Sequence, residues 1–373
     1  MINVFFLFLP LLFLSLLEGM TSNSFIRRLI YFSAAVLFLF FIGFSYKIGV
    51  DWVEYTRVYQ GVSQRLDSYE FGYVLLNKLL NHAGIGFWFF SITVKVIYTL
   101  SVALFFYLFS KRPSLSLTIF VGVMFAFFND PLRQLISSSI LLLSFVIIRR
   151  NIRIVGLFLG SLFHSSFIIL FLTWISKIDK RKIIILLSVF SFAMIIFLSG
   201  TIRLPIVGTS FIADVVVKIN FYMRTAESAN FISALARIFF LMYVCFSKKV
   251  RDANYHTLGE YLEKIFWTFS ILYLAIEVAF FAMPILPQRM RIYFIPFAIV
   301  LFSNRVYFLK YKFNSFVLTA IIAGYLSFSL YLFISKPIGE FYYIDNNLFI
   351  SLFDHHKDNM ENKVDAYWDG SFR

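Results

Sequence analysis

Long apolar runs, broken by short polar ones, make up most of this chain. Leu29–Tyr46, Gly86–Ser110, Ile183–Ser199 and Phe313–Ile334 each match the roughly 17 to 25 residues a helix needs to cross a bilayer. Shorter apolar segments lie at 3–17, 115–128, 132–148, 231–246, 265–283 and 291–303. The alternation of barrel strands is absent, and in lipid the backbone must be paired within a segment or a closed barrel. The pattern predicts an all-α, polytopic membrane protein with about 10 full transmembrane helices. The first segment lacks a basic leader and a small-residue cleavage site, so it reads as a retained span.

The polar punctuation orients these segments. More than half of the 34 Lys and Arg residues fall in six short clusters between spans: 27–28, 111–112, 149–153, 177–182, 248–264 and 305–312. Such a distribution marks a cytoplasmic face. It explains the net charge of +14 without nucleic acid, which is excluded as a partner. Segment 154–175 has basic clusters at both ends, so a single crossing would put one on the wrong side. A short or re-entrant hairpin resolves this, with 152–163 rising, His164-Ser165-Ser166 turning and 167–176 returning. The prediction is then about 12 segments forming a single membrane domain over 1–373. Residues 47–84, 200–230 and the polar tail 335–373 lie outside. Within the first loop, Leu75, Leu76, Leu79 and Leu80 give an amphipathic period suited to the membrane interface.

Composition sharpens the class. Hydrophobic residues make up 60% of the chain and charged residues 14%, against roughly 25% charged in a soluble domain. A single cysteine, Cys245, excludes an internal disulfide and paired-cysteine metal sites. His355-His356 has no third ligand at a metal-like spacing, so no metal and no cofactor is expected.

The candidate chemistry gathers outside. In GVDWVEYTRVYQ, Asp51, Tyr55 and Tyr59 recur every fourth position and share one helical face. Glu70, Gly72 and Tyr73 follow at the start of the amphipathic stretch. Carboxylates beside aromatic rings suit sugars: the rings cover apolar faces and the acids accept from hydroxyls. A carboxylate also serves as a general base. The same residues suit an interfacial aromatic belt and helix caps. Arg133 with Gln134, Arg224, Arg289 and Arg291 supply guanidinium forks for phosphate oxygens, although single arginines at span ends also meet lipid headgroups. His164, at the predicted turn, offers a proton shuttle or a plain hydrogen bond. Lys95 and Glu277 are ionisable groups within spans, expected to pair with each other or mark a proton path.

Taken together, GVDWVEYTRVY, YEFGYVLLNKLL, NDPLRQLISSSILLLSF, LGSLFHSSFIIL and QRMRIYF resemble, in order, the motifs of the EpsG family, which includes many Wzy-type O-antigen and capsule repeat-unit polymerases. The resemblance covers roughly residues 45–300 and leaves the second external loop without a motif. It implies a GT-C-like membrane glycosyltransferase, metal-independent, in the bacterial inner membrane with its active site facing the periplasm. Its donor and acceptor would be undecaprenyl-diphosphate-linked oligosaccharides, with a chain-length regulator as a further partner. Under that resemblance Asp51, Glu70 or His164 acts as base, Tyr55, Tyr59 and Tyr73 carry sugar, and Arg133, Arg289 and Arg291 hold diphosphate. Two rival readings are a flippase for the same lipid-linked sugar and another membrane transferase, such as an O-antigen ligase or an acyltransferase.

Overall fold

A computed structural model describes residues 4–62, 69–125, 131–147, 150–164, 178–198, 231–281, 285–309, 312–335, 341–342 and 363–365. Among the described residues every regular element is helical: α1 (Phe5–Met20), α2 (Ser24–Phe38), continued by a π-turn over Leu39–Gly43, α3 (Trp52–Tyr59), α4 (Phe71–His82), α5 (Phe87–Phe109) and α6 (Pro113–Met124). There follow α7 (Leu132–Val146), α8 (Arg150–Ser161), α9 (Lys180–Leu198), α10 (Phe231–Phe246), α11 (Lys248–Ala279), α12 (Ile285–Tyr307) and α13 (Lys312–Ile334). Ser24–Gly43, Phe87–Phe109 and Phe316–Ile334 are long and apolar enough to cross a membrane, and Phe5–Met20, Pro113–Met124, Leu132–Val146 and Ala234–Phe246 are shorter apolar helices. Along α2, Phe25, Leu29, Phe32 and Val36 form one exposed apolar stripe, the surface acyl chains would cover. α5, by contrast, is mostly buried.

The chain forms two compact units, one of Met1–Leu170 with Val306–Arg373, the other of Phe171–Arg305. In the first, α5 packs on α7 and α7 on α8, while α1 packs against α2, α6 and α13. One end of this unit gathers basic residues. Arg27 donates to the Lys111 carbonyl and lies 5.1 Å from the Tyr307 ring centre. Arg112, nearly fully buried, donates to the Ser15 carbonyl at 2.7 Å. Pro113 opens α6, whose bare amides of Ser114 and Leu115 are taken by the Glu18 carboxylate at 3.2 and 3.3 Å. A carboxylate from α1 thus caps α6, where the helix dipole favours negative charge.

The first loop and the tail meet at the opposite end. The Gly49 amide donates to the Phe341 carbonyl at 2.7 Å, and Arg57 pairs with Asp365 at 2.8 Å. Phe341 and Val364 are fully buried there. α8 runs from the basic Arg150 toward this end in 12 residues and stops in a turn at Leu162–His164. The predicted return leg, 167–176, and the second loop, 200–230, lie outside the described residues.

In the second unit α11 packs on α10 and α9. The basic stretch after 247 is helical rather than a loop, joined to the apolar part of α11 through a break at Gly259 (φ 75°), a conformation glycine adopts at little cost. Asn254 anchors this arm, donating to the Leu301 carbonyl at 2.8 Å and accepting from Asn304 at 2.9 Å.

Candidate functional site

α3 forms over Trp52–Tyr59, with Asp51 just before it; the Asp51 carboxylate does not cap the helix. Tyr55 and Tyr59 do share a face, and that face is turned inward. Both rings are nearly buried, Tyr59 stacked on Phe90 and donating its hydroxyl to the Ile85 carbonyl. In α4 the buried face is Gly72, Tyr73 and Asn77, whereas Leu75 and Leu79 are exposed, as an interface-lying helix requires. Tyr73 is fully buried.

Between them stands a tyrosine cluster. Tyr69 stacks on Tyr73 with ring centres 5.8 Å apart, and Tyr55 meets Tyr69 at 6.3 Å and Tyr73 at 5.7 Å, both edge-on. These separations fall within the favourable range for aromatic pairs. The Arg133 guanidinium, from the first turn of α7, lies 4.4 Å from the Tyr69 ring centre and forms an ion pair with Glu70. Only about a sixth of either charged side chain is exposed, with 18% for Arg133 and 16% for Glu70. One guanidinium thus joins α7 to the carboxylate and the ring of the first loop, an arrangement for which arginine's planar fork is suited.

The third strand of chain arrives through α8. The Gly72 amide donates to the Leu162 carbonyl at 2.9 Å. A side chain at Gly72 would meet that carbonyl oxygen at 2.6 Å, so the close approach requires glycine. Ser137 of α7 donates to the Gly160 carbonyl at 2.9 Å, and Gly156 presses against Ser144. His164, half-buried, ends this turn two residues after Leu162. The loop, the arginine segment and the histidine segment are therefore neighbours.

The electrostatics follow from this packing. Burial pushes the Tyr69 hydroxyl well above the usual range, reinforced by Tyr55 and by the negative charges of Glu54 and Asp51, and opposed by Arg133. Asp51 and Glu54 therefore act within reach of Tyr69. Burial also drives the Tyr73 hydroxyl upward, so both remain neutral donors at physiological pH. Gln134, almost fully buried, leaves both ends of its amide without a hydrogen-bond partner. Such orphaned polar atoms are costly unless water or a ligand meets them.

Other expected residues lie elsewhere. Arg224 is outside the described residues. In the second unit Arg289 is half-buried, and Arg291 is buried, donating to the Tyr273 hydroxyl at 2.9 Å and standing 3.6 Å from Glu277. Glu277 is the residue that the sequence pairs with Lys95 or places on a proton path. It finds its counter-charges within its own unit, Arg237 at 2.9 Å and Arg291, and it also accepts from Tyr273. Lys95 donates to the Ser45 carbonyl at 3.2 Å. Burial makes these pairings obligatory, since an unpaired charge within the hydrocarbon costs several kcal/mol by most measures.

Sequence reasoning passed over Tyr69 and Arg237. Tyr69 carried a signal: it precedes Glu70 and sits four residues before Tyr73. Arg237 carried none, being a lone arginine within an apolar run.

The fold and this cluster define an all-helical membrane protein that concentrates carboxylate, tyrosine and guanidinium groups at one end of a helical unit. The chain belongs to the EpsG family, whose sequence profile matches residues 28–347, which points to polysaccharide biosynthesis and a polymerase of glycosyltransferase type. Neither the curated proteins nor the solved structures contain a significant match.

Proposed function

We propose that this protein joins undecaprenyl-diphosphate-linked oligosaccharide repeat units into O-antigen or capsular polysaccharide at the periplasmic face of the bacterial inner membrane. The observation that carries the reading is the Glu70–Arg133–Tyr69 contact, clasped to the His164 turn through Gly72 and Leu162. Three of the motifs shared with the family meet there. In the reaction, a hydroxyl of the incoming lipid-linked unit attacks the anomeric carbon of the growing chain. Its proton passes to Glu70 or Asp51, with His164 as the other candidate base. The new glycosidic bond forms as the bond to the diphosphate oxygen breaks, and undecaprenyl diphosphate leaves.

Arg133 serves two ends in this reading. It holds the Glu70 carboxylate in place beside Tyr69, and it offers positive charge to developing negative charge. Tyr69 faces the sugar, with Tyr55, Tyr59 and Tyr73 packed behind it as support. Gln134 adds an unclaimed amide. Arg133, Arg289 and Arg291 are assigned to the diphosphate by their chemistry and by the family resemblance, and Arg224 by its chemistry alone. About 10 spans, a GT-C-like arrangement and metal independence belong to the same proposal.

A lipopolysaccharide gel from a deletion strain carrying each variant tests it. Asp51→Asn, Glu70→Gln and Arg289→Ala should each leave lipid A core bearing a single repeat while protein levels hold. Normal ladders from all three remove the assignment. Repeat units stranded on the cytoplasmic side would instead identify a flippase, and polymer retained on undecaprenyl would identify a ligase.

A further inference from the structure

A largely apolar groove with a polar rim opens between α3 and α4. Val58, Tyr59, Gly61, Val74, Asn77, Lys78, Asn81 and His82 line it, and it encloses about 370 Å³. That lies within the roughly 300–1,000 Å³ of small-ligand sites. Its two valines and the Tyr59 ring give an apolar wall. Lys78 and His82, both exposed and one helical turn apart, give the rim one cation and one imidazole.

Asn77 is the feature that packing does not explain. It is 3% exposed and lines the groove, and its amide makes no hydrogen bond of good geometry, its one polar neighbour being the Tyr73 hydroxyl a turn earlier. Asn81, one turn on, spends its amide nitrogen on the Tyr59 carbonyl at 3.0 Å and leaves its oxygen for other uses. An apolar wall facing amides and a cation is the recognition chemistry of saccharides: the ring face lies on the wall and hydroxyls exchange hydrogen bonds with amide groups. Asn77 also stands beside Tyr73, whose buried hydroxyl likewise lacks a partner of good geometry. The groove therefore adjoins the tyrosine cluster across a single turn of α4.

We infer that this groove is a saccharide subsite that holds sugar units of the growing polymer away from the reacting bond. The inference rests on the polymerase reading and adds retention of the chain between successive additions. An enzyme that releases its polymer after each step makes short chains, whereas one that keeps hold of it makes long ones.

Two variants test this in the full-length protein, Asn77→Leu and the double change Lys78→Ala with His82→Ala. Replacing a buried amide that makes no well-formed hydrogen bond with an apolar side chain of similar size is close to neutral or stabilising for folding. Asn77→Leu should therefore match or exceed the parent in melting temperature in detergent. Its lipopolysaccharide ladder should nevertheless shift to shorter chains. The affinity of the detergent-solubilised protein for host polysaccharide freed of lipid by mild acid, read by tryptophan fluorescence, should fall about tenfold. The double variant should shorten the ladder in the same way. An unchanged ladder and affinity in both variants overturn the subsite. Loss of binding to anionic vesicles with an unchanged ladder overturns it too, assigning the groove to lipid headgroups. Glu70→Gln separates the two proposals: a ladder erased there but only shortened by the groove variants supports both, whereas a normal ladder from Glu70→Gln sinks the polymerase reading itself.

Discussion

At the scale of single residues, Arg133 does more than any other described side chain in the first unit. It touches a ring and a carboxylate from a loop some sixty positions earlier in the chain, and its own helix packs on both α5 and α8. Lysine keeps the charge but not the fork, so it would hold either Glu70 or the Tyr69 face, not both. Arg133→Lys should then lower polymerisation by about tenfold to a hundredfold, the worth of one charge-assisted hydrogen bond at about 1.5–3 kcal/mol. Arg133→Ala should abolish the ladder. Radiolabelled repeat-unit incorporation in membranes measures both, and equal activity of the lysine variant and the parent removes the bidentate role. A second expectation concerns metal. In the proposed reaction a guanidinium rather than a metal ion meets the developing charge, so incorporation should survive excess EDTA. Loss of activity restored by magnesium would overturn it.

At the scale of elements, Gly72 is the join on which the site depends. α4 and the end of α8 approach so closely that a methyl group at position 72 would overlap the Leu162 carbonyl oxygen. Gly72→Ala should cost about 1–3 kcal/mol of stability, the usual result of overpacking a close contact. It should also move His164 relative to Glu70, so activity falls further than the loss of folded protein explains. Thermal melting and incorporation measured on the same preparations check this, and proportionate losses would make Gly72 purely structural. The elements show how far the sequence could be read. Apolar period gave α2, α5 and α13, because lipid imposes one simple rule on every exposed position. It also gave the exposed leucine period of α4, while the basic clusters on both sides of 154–175 placed a turn at His164. Two elements departed from expectation for physical reasons. The 248–258 arm looks like a loop because it is charged, yet a helix lying along a surface tolerates charge on its outer face. The tyrosines of α3 and α4 looked like open sugar platforms, yet aromatic rings from two short facing helices gain more by packing together, which leaves Tyr69 as the half-buried ring. The pairing of Glu277 with Arg237 was illegible, since nothing in a linear apolar run says which lone charges will face one another.

At the scale of the whole molecule, the first unit carries its own record of topology. Arg27, Lys111, Arg112 and Tyr307 gather at one end. The first loop and the tail meet at the other, through Gly49 with Phe341 and Arg57 with Asp365. A helix that starts at the first end and a tail that touches the first loop together require an odd number of crossings between them, as α13 provides. Reporters fused after Arg373 and inserted at Gly61 should therefore give the same answer, and one inserted at Lys111 the opposite one. By the positive-inside rule Lys111 should report from the cytoplasm and the other two positions from the opposite side. Alkaline phosphatase and a cytoplasmic reporter, used at all three positions, decide the matter. The Arg57–Asp365 pair is well exposed, worth at most about 1 kcal/mol, so Asp365→Ala alone should leave both topology and activity standing. Cytoplasmic signal from the fusion after Arg373 would break the link between tail and loop. It would also take the external location of the Glu70–Arg133 site with it, since that location rests on the loop they share.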